Sequence, residues 1–297
     1  MTKKRRTTQK LNFILLVTLI ALIFSSFFIL KELNFNEVNF LLRNKPIPDV
    51  VELPENIKES IKNLKPQKSF NVPILLYHYV EYVKDEGDTI RKSLNIIPYL
   101  FDQEVKTLKD AGFEFITTKD LADALDDETV LPPKSIILTF DDGYRDFYTD
   151  VFPILKKYQV KAVAYIVPNF LDRSNNLTIW QLKEIAKSGL VEIGAHTMNH
   201  SYLAGLPLQR VKYEVMESKK FLEKNLGVKV TSFAYPYGAF DNQAIDVVKK
   251  AGFRSAVTTI SGTYALDINR FFLYRIRPGG RFGQSLLNLL ENTNLSE

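Results

Sequence analysis

The sequence predicts an α/β fold with a mostly parallel sheet, preceded by one N-terminal transmembrane helix. From Val72 onward, short runs of β-branched and apolar residues alternate with amphipathic segments, which is typical of strands joined by crossover helices. Ahead of them, residues 11–30 carry no charge, and twenty helical residues at about 1.5 Å each span the hydrocarbon core of a bilayer. If the sheet closes into a barrel, chemistry is expected at the carboxyl ends of its strands.

Composition and charge narrow the class of protein. Of the 297 residues, 45% are hydrophobic and 25% are charged, as in ordinary globular proteins. Cysteine is absent, which excludes disulfide bonds, a thiolate zinc site, a cysteine nucleophile and a lipoprotein anchor. The first ten residues hold five of the 39 Lys and Arg residues and no acid, so the other 34 balance the 34 Asp and Glu residues. We therefore expect no nucleic-acid partner, because the folded part has no excess of basic residues.

The N-terminal region predicts an exported, membrane-anchored protein. We interpret residues 1–10 as a cytoplasmic basic tail, 11–30 as an uncleaved signal anchor, 31–70 as a stalk and 71–297 as the folded domain. Because the basic tail stays in the cytoplasm, a single-pass topology places this domain outside the cell membrane. A cleaved signal peptide is the alternative; the long apolar run and the lack of a small-x-small site after it favour the anchor. The stalk is expected to contain a short helix near Glu55–Leu64.

The elements of the folded domain follow from local pattern. Apolar and β-branched runs predict strands at Val72–Val80, Phe113–Thr117, Ser135–Phe140, Ala162–Val167, Val191–Gly194, Thr231–Tyr235, Arg254–Thr259 and Phe272–Ile276. Helical periodicity and capping residues predict helices at Pro98–Ala111, after Thr118, at Phe147–Tyr158, from Thr178 to Lys187, at Leu208–Leu226 and from Asp241 to Ala251. Several polar residues lie at or just after the ends of these apolar runs: His78, Asp141, Asp142, His196 and Tyr237.

The predicted strand Ser135–Phe140 ends in two adjacent carboxylates and a glycine, Asp141-Asp142-Gly143. Two charges at the rim of a core need a cation, hydrogen bonds or water, because a buried unpaired charge is costly. An ordinary Asp-Gly turn is the alternative interpretation. A pair of glycosidase carboxylates fits less well, since those groups flank a sugar bond from positions about 5 Å or more apart.

The histidines favour a metal site over a turn. The chain has three, His78, His196 and His200, and the last two lie on one face if their segment is helical. Two imidazoles and one carboxylate are a common ligand set for a divalent metal. The alternative is two surface histidines that merely share a face. With a metal present, one aspartate binds it and the other is free to accept a proton from water.

Three segments resemble motifs of the polysaccharide deacetylase (NodB-homology) family. They are Thr139-Phe140-Asp141-Asp142-Gly143, His196-Thr197-Met198-Asn199-His200 and Phe233-Ala234-Tyr235-Pro236-Tyr237-Gly238, and the resemblance covers about residues 71–280. It implies a distorted (β/α) barrel of mostly parallel strands. It also implies hydrolytic removal of N- or O-acetyl groups from glycans with the help of a bound divalent metal.

The resemblance also implies a role for each residue that matches a motif. Asp141 corresponds to the catalytic base, and the metal ligands correspond to Asp142, His196 and His200. Tyr237 corresponds to the residue whose backbone N–H binds the oxyanion. The expected metal is Zn²⁺, with Co²⁺, Ni²⁺ or Mn²⁺ as alternatives.

The sequence departs from the family pattern at two points. Ala234 occupies the position of the usual arginine in the third motif, and no histidine follows His200 to act as general acid. However, the segment Pro73–His78 resembles an early motif of the branch that contains the poly-N-acetylglucosamine deacetylases, in which an N-terminal histidine is the acid. His78 is therefore the candidate acid, and a buried structural histidine is the alternative. Arg275 or Arg277 is the candidate to replace the missing arginine beside Asp141; ordinary surface charges are the alternative.

The expected function is metal-dependent N-deacetylation of a polysaccharide outside the cytoplasm. The candidate substrates are poly-N-acetylglucosamine, peptidoglycan and chitin-like glycans. The alternatives are an O-acetyl esterase that acts on xylan-like glycans and a non-catalytic glycan-binding module. Trp180 and Tyr144 are candidates for stacking on sugar rings, although aromatic residues near a strand end are as often part of the core.

Overall fold

The computed structural model describes residues 52–63, 69–85, 87–266 and 269–292. The predicted basic tail and signal anchor, and much of the predicted stalk, lie outside these residues. The helix expected in the stalk is Glu55–Asn63. Among the described residues, no helix combines the length and the apolar character needed to cross a membrane.

A curled parallel sheet organises the domain, as the alternation of strands and helices predicts. In chain order the strands are β1 Ser69–Asn71, β2 Ile74–Tyr77, β3 Tyr79–Val80, β4 Asn95–Ile96, β5 Glu114–Phe115, β6 Ser135–Phe140, β7 Ala162–Ile166, β8 Val191–Ala195, β9 Ser232–Ala234, β10 Ser255–Val257 and β11 Tyr264–Leu266. The main sheet has the order β10-β9-β8-β7-β6-β2, with β5 beside β6, and all of its pairs are parallel. Two small sheets, antiparallel β1-β11 and parallel β3-β4, accompany it.

Helices connect the strands and cover the sheet. They are α1 Glu55–Asn63, α2 Thr89–Ser93, α3 Pro98–Asp110, α4 Thr118–Leu125, α5 Phe152–Tyr158, α6 Ile179–Lys187, α7 Leu208–Lys212, α8 Ser218–Leu226, α9 Asn242–Lys250 and α10 Gln284–Asn292. The predicted cap residues Thr178 and Asp241 do cap α6 and α9, since each side chain accepts a hydrogen bond from the backbone. Both predicted helices at Phe147–Tyr158 and Leu208–Leu226 contain a π-helical turn, at Phe147–Val151 and Tyr213–Glu217.

The segment Leu273–Ile276 connects the two edge strands of the main sheet. Leu273 forms a parallel bridge with Val257 of β10, and Ile276 forms one with Leu75 of β2. The predicted strand Phe272–Ile276 is therefore present only as single bridges, because the segment bonds to one edge strand at its start and to the other at its end. This arrangement places Arg275 between the two edges.

The predicted strand Val72–Val80 is wrong as a single strand. β2 pairs with β6 in the main sheet, whereas β3 pairs with β4 in a separate small sheet. The chain bends at His78, between the two. Because of this bend, the backbone after β2 leaves the sheet at the edge where the other strands end.

Glu104 of α3 is a fully buried carboxyl whose Oε2 accepts a hydrogen bond of 2.7 Å from the Tyr77 hydroxyl. Burial raises the pKa of Glu104 to about 8, although the bond from Tyr77 opposes this. The folded protein thus carries a proton at Glu104 near neutral pH, whereas an unfolded glutamate has lost it.

Glu104→Gln is expected to flatten the pH dependence of stability. Because the folded pKa lies above the unfolded value, the contribution of Glu104 is complete below about pH 4.5 and is lost as the pH rises toward about 8. In this window the free energy of unfolding of the wild type should fall by about 1.4 kcal/mol per pH unit because of this group. Urea unfolding across this pH window measures the slope. Glu114→Gln, at an exposed position of β5, is the control. Equal slopes in wild type and E104Q would contradict the assignment.

Candidate metal centre and active site

The site residues lie at the carboxyl edge of the parallel sheet, where the sequence places them. Asp141 and Asp142 follow β6, and His196 follows β8. Tyr237 follows β9 after two residues, and His78 follows β2 directly. Since parallel strands end at one edge, segments far apart in the chain meet there.

Asp142, His196 and His200 form a cluster that fits a divalent metal. One potential ligand atom from each lies within 4.8 Å of the others. Oδ1 of Asp142 is 3.3 Å from His196 Nε2 and 3.1 Å from His200 Nε2. This oxygen is buried and has no hydrogen-bond partner among the described residues, which is costly unless a cation binds it. Two imidazoles and one carboxylate leave coordination positions open for water and substrate.

A backbone bond fixes the ring of His196 for metal binding. Nδ1 of His196 lies 2.7 Å from the carbonyl oxygen of Ala234. A carbonyl can only accept, so Nδ1 carries the proton and Nε2 faces Asp142 with its lone pair. Burial alone would raise the pKa of Asp142, but the imidazoles of His200 and His196, when they are protonated, hold it well below its ordinary value.

His196 and His200 do not lie on one face of a helix, as their spacing had suggested. Their side chains nevertheless lie close together. The residues between them form a turn and not a helix. Thr197 and His200 both have a left-handed backbone, with φ of 59° at each. Asp142 and Tyr237 are also left-handed, at 72° and 60°. Non-glycine residues in this region are strained, and such residues concentrate at functional sites.

Asp141 is held by Arg275 in a buried, two-point ion pair. Nη1 of Arg275 lies 2.8 Å from Oδ1 of Asp141, and Nη2 lies 2.7 Å from Oδ2. The arginine is 1% exposed and the aspartate 3% exposed. Burial opposes ionisation of Asp141, but the guanidinium outweighs it and keeps the pKa of this carboxyl below its ordinary value. Of the two arginines that the sequence offered, the structure places Arg275 beside Asp141, while Arg277 is exposed.

Two threonines that the sequence interpretation missed complete this arrangement. The Arg275 Nε donates to the carbonyl oxygen of Thr258 at 2.8 Å, and Nη1 also lies 3.1 Å from the hydroxyl of Thr139. That hydroxyl donates to the carbonyl oxygen of Leu75 at 2.7 Å. The polar position of Thr139 inside an otherwise apolar strand was the available signal. Nothing in the local sequence distinguishes Thr258.

Tyr237 presents both its backbone and its side chain to the site. Its left-handed conformation follows Pro236, and its N–H has no acceptor among the described residues. Its hydroxyl lies 3.2 Å from Nδ1 of His200, on the opposite side of the imidazole from Nε2. The side chain therefore contacts a metal-site histidine, while the N–H is available to a developing negative charge.

Tyr237→Phe is expected to weaken metal binding by about tenfold. The change removes the hydrogen bond that orients His200 and leaves the backbone N–H in place, and losing such an outer partner typically costs about 10–100-fold in metal affinity. Competition with a chelator measures this affinity directly, without turnover. Tyr202→Phe is the matched control, because its ring lies near Tyr237 at 6.2 Å between centroids. Equal zinc affinity in Y237F and wild type would show that the hydroxyl does not position His200.

His78 lies close enough to the carboxylates of Asp141 and Asp142 for their charges to affect its pKa. His78 is half-buried at the bend after β2. Burial lowers the pKa of His78, and the carboxylates of Asp141 and Asp142 partly offset this. An imidazole with a lowered pKa gives up its proton readily once protonated, which suits proton donation.

The two aromatic candidates have different surroundings. Tyr144 stacks on Tyr79 with 3.8 Å between ring centroids, and the guanidinium of Arg91 lies 4.5 Å from the Tyr79 ring. Tyr144 is thus already packed on one face. Trp180, in the first turn of α6, is 64% exposed.

Comparisons with known proteins agree with this geometry. The sequence profile described as polysaccharide deacetylase matches residues 129–256. YxkH of Bacillus subtilis strain 168, named as a polysaccharide deacetylase, is 30% identical over 239 residues, which are 80% of this chain and 82% of YxkH. The poly-β-1,6-N-acetyl-D-glucosamine N-deacetylase of Staphylococcus aureus is 28% identical over 198 residues, 62% of this chain and 68% of that protein. The structure of Streptococcus pyogenes deacetylase PplD in complex with acetate has a TM-score of 0.68 and 31% identity, and the match covers 76% of this chain and 99% of PplD.

Proposed function

Because this chain belongs to the polysaccharide deacetylase family, we propose that it removes N-acetyl groups from an extracellular polysaccharide by hydrolysis. The observation that carries this proposal is the buried, arginine-paired carboxylate of Asp141 directly beside a cluster fit for a divalent cation. The similarity to poly-β-1,6-N-acetyl-D-glucosamine N-deacetylases makes poly-N-acetylglucosamine the first candidate substrate. Peptidoglycan and chitin-like glycans, which share the N-acetylated sugar, are the others.

Asp142, His196 and His200 are the residues that would hold the metal. Their donor set of two nitrogens and one oxygen suits Zn²⁺ first, and Co²⁺, Ni²⁺ or Mn²⁺ as alternatives. When bound, a divalent cation acts as a Lewis acid that lowers the pKa of water and polarises a carbonyl group. The other requirements of the reaction fall to the protein's own groups.

These groups divide the reaction between them. Asp141, oriented by Arg275, accepts a proton from the attacking water as the water oxygen bonds to the acetyl carbon. The carbonyl oxygen becomes negatively charged, and the N–H of Tyr237 donates a hydrogen bond to it. The carbon–nitrogen bond then breaks, acetate leaves, and His78 donates a proton to the sugar nitrogen to give the free amine.

The protein's location is part of the same proposal. The uncharged segment 11–30, preceded by five cations, supports a single-pass anchor in the cell membrane with the enzyme domain outside. A polysaccharide of the cell surface would be within reach of such a domain.

Acetate release by the full-length chain tests the function. The chain is purified in detergent, stripped of metal and assayed on poly-N-acetylglucosamine, peptidoglycan, chitin oligomers and acetyl-xylan, with and without zinc. We expect zinc-dependent release from an N-acetylated glycan. Release from acetyl-xylan alone would support O-acetyl esterase activity, and release from none of the four would contradict hydrolysis.

A further inference from the structure

A groove runs between α5 and α6. Its volume is about 420 Å³, and polar side chains line it together with Phe152, among them Lys156, Gln159, Glu184 and Lys187. Pockets that bind small molecules combine apolar surface with a few polar groups in this way. None of these residues belongs to the metal cluster or its neighbours.

Three aromatic rings form a row that starts at Phe152 in this groove and leads away from it to Trp180. Trp180, the only tryptophan of the chain, lies edge-on to Tyr148 with 6.0 Å between ring centroids. Tyr148 in turn stacks near Phe152 at 6.2 Å, and its hydroxyl donates to Glu184 Oε2 at 2.7 Å. This bond fixes the middle ring of the row. The indole keeps most of its surface in water, which is unusual for so large an apolar group.

The aromatic row begins beside the catalytic edge of the sheet, whereas the groove lies toward the opposite edge. α5 and α6 follow strands β6 and β7, so each helix starts at the edge where Asp141 and Asp142 lie. The loop before α6 is bonded to the catalytic segment, because Leu177 N–H donates to Gly143 at 3.0 Å and Arg145 N–H donates to Asn175 at 3.0 Å. The groove itself reaches the carboxyl ends of the two helices, where Gln159 precedes β7 and Leu190 precedes β8 at the opposite edge of the sheet.

We propose that this groove and the aromatic row that leads from it form a second glycan-binding site, which holds a stretch of the same N-acetylated polysaccharide away from the reacting sugar. Aromatic faces stack on the C–H faces of sugar rings, and amide, ammonium and carboxylate groups pair with their hydroxyl and acetamido groups. The identity of the ligand at this second site rests on the proposed function. Holding a polymer at two places raises its effective concentration at the active site, and a short oligomer gains nothing.

The single tryptophan allows binding to be measured without turnover. Titration of the full-length D141N variant with poly-N-acetylglucosamine fragments should give a saturable change in Trp180 fluorescence. Gln159→Ala and Lys187→Ala should each weaken this binding about threefold or more. Vesicles of phosphatidylglycerol form a second arm. A fluorescence change with vesicles and none with the glycan would assign Trp180 to the membrane surface and overturn the proposal, as would no change in either arm.

Turnover provides an independent test. Trp180→Ala should lower kcat/KM on the long polymer by about tenfold and leave kcat/KM on the trimer unchanged, since only the polymer reaches both places. Tyr213→Ala, at another exposed aromatic residue outside the groove, is the control. An equal loss on polymer and trimer, or no loss on either, would refute the second site. If no glycan is deacetylated but Trp180 still responds to the polymer, the proposed function fails and the groove assignment stands.

Discussion

Asp141→Asn is expected to lower kcat by about 10²–10⁴-fold with little change in zinc affinity. The amide keeps the size of the carboxylate but does not accept a proton from water at neutral pH. The atoms that could hold a metal belong to Asp142, His196 and His200, so the substitution leaves this cluster unchanged. Single-turnover acetate release gives the rate, and chelator competition gives the affinity.

His200→Ala is the contrasting variant for this prediction. It removes one of the three clustered ligands and should lose most of its bound zinc while Asp141 keeps its ion pair with Arg275. The two variants thus separate proton transfer from metal binding. Full activity in D141N would refute the assignment of the base, and unchanged zinc content in H200A would refute the ligand set.

Arg275→Met is expected to destabilise the protein by about 3–5 kcal/mol at neutral pH and to reduce kcat. The substitution leaves the buried carboxylate of Asp141 without its partner, and an uncompensated buried charge carries a penalty of this size. Because the guanidinium keeps the pKa of Asp141 low, its contribution is present above about pH 4 and is lost as the pH falls. The difference between R275M and wild type should therefore shrink at low pH. Urea unfolding measures both effects.

Two further variants make the Arg275 prediction specific. Arg277→Met, two residues later at an exposed position, should change the free energy of unfolding by no more than about 0.5 kcal/mol. The double variant D141N/R275M removes both charges and should recover part of the stability that R275M loses, since the two sites are directly coupled. Strictly additive effects would show that Arg275 stabilises the fold independently of Asp141.

The order of apolar and polar residues along the chain predicted much of the domain, because it reflects which residues are buried. The run Ser135–Phe140 is mostly apolar, and the structure buries all six residues in the parallel sheet. For the same reason, the abrupt change to Asp141-Asp142 located the edge of the sheet where the polar residues cluster. The cap residues Thr178 and Asp241 located helix starts, since their side chains bond to backbone groups only a few positions away.

This local pattern did not predict the contacts between residues that are far apart in the chain. The spacing of His196 and His200 suggested a helix face, yet the left-handed residues Thr197 and His200 bring the rings together. Arg275 and Arg277, two positions apart, would share a face in a regular strand. The chain leaves the sheet after Ile276, and only Arg275 is buried.

The sequence by itself determined the parallel α/β architecture, the edge that carries the polar residues and the three residues that cluster there, Asp142, His196 and His200. Only the tertiary structure decided which arginine pairs with Asp141 and which atoms fix the histidine rings. The physical reason is distance along the chain: Arg275 and Asp141 are 134 residues apart. Their pairing depends on how the segment Leu273–Ile276 joins the two edges of the curled sheet.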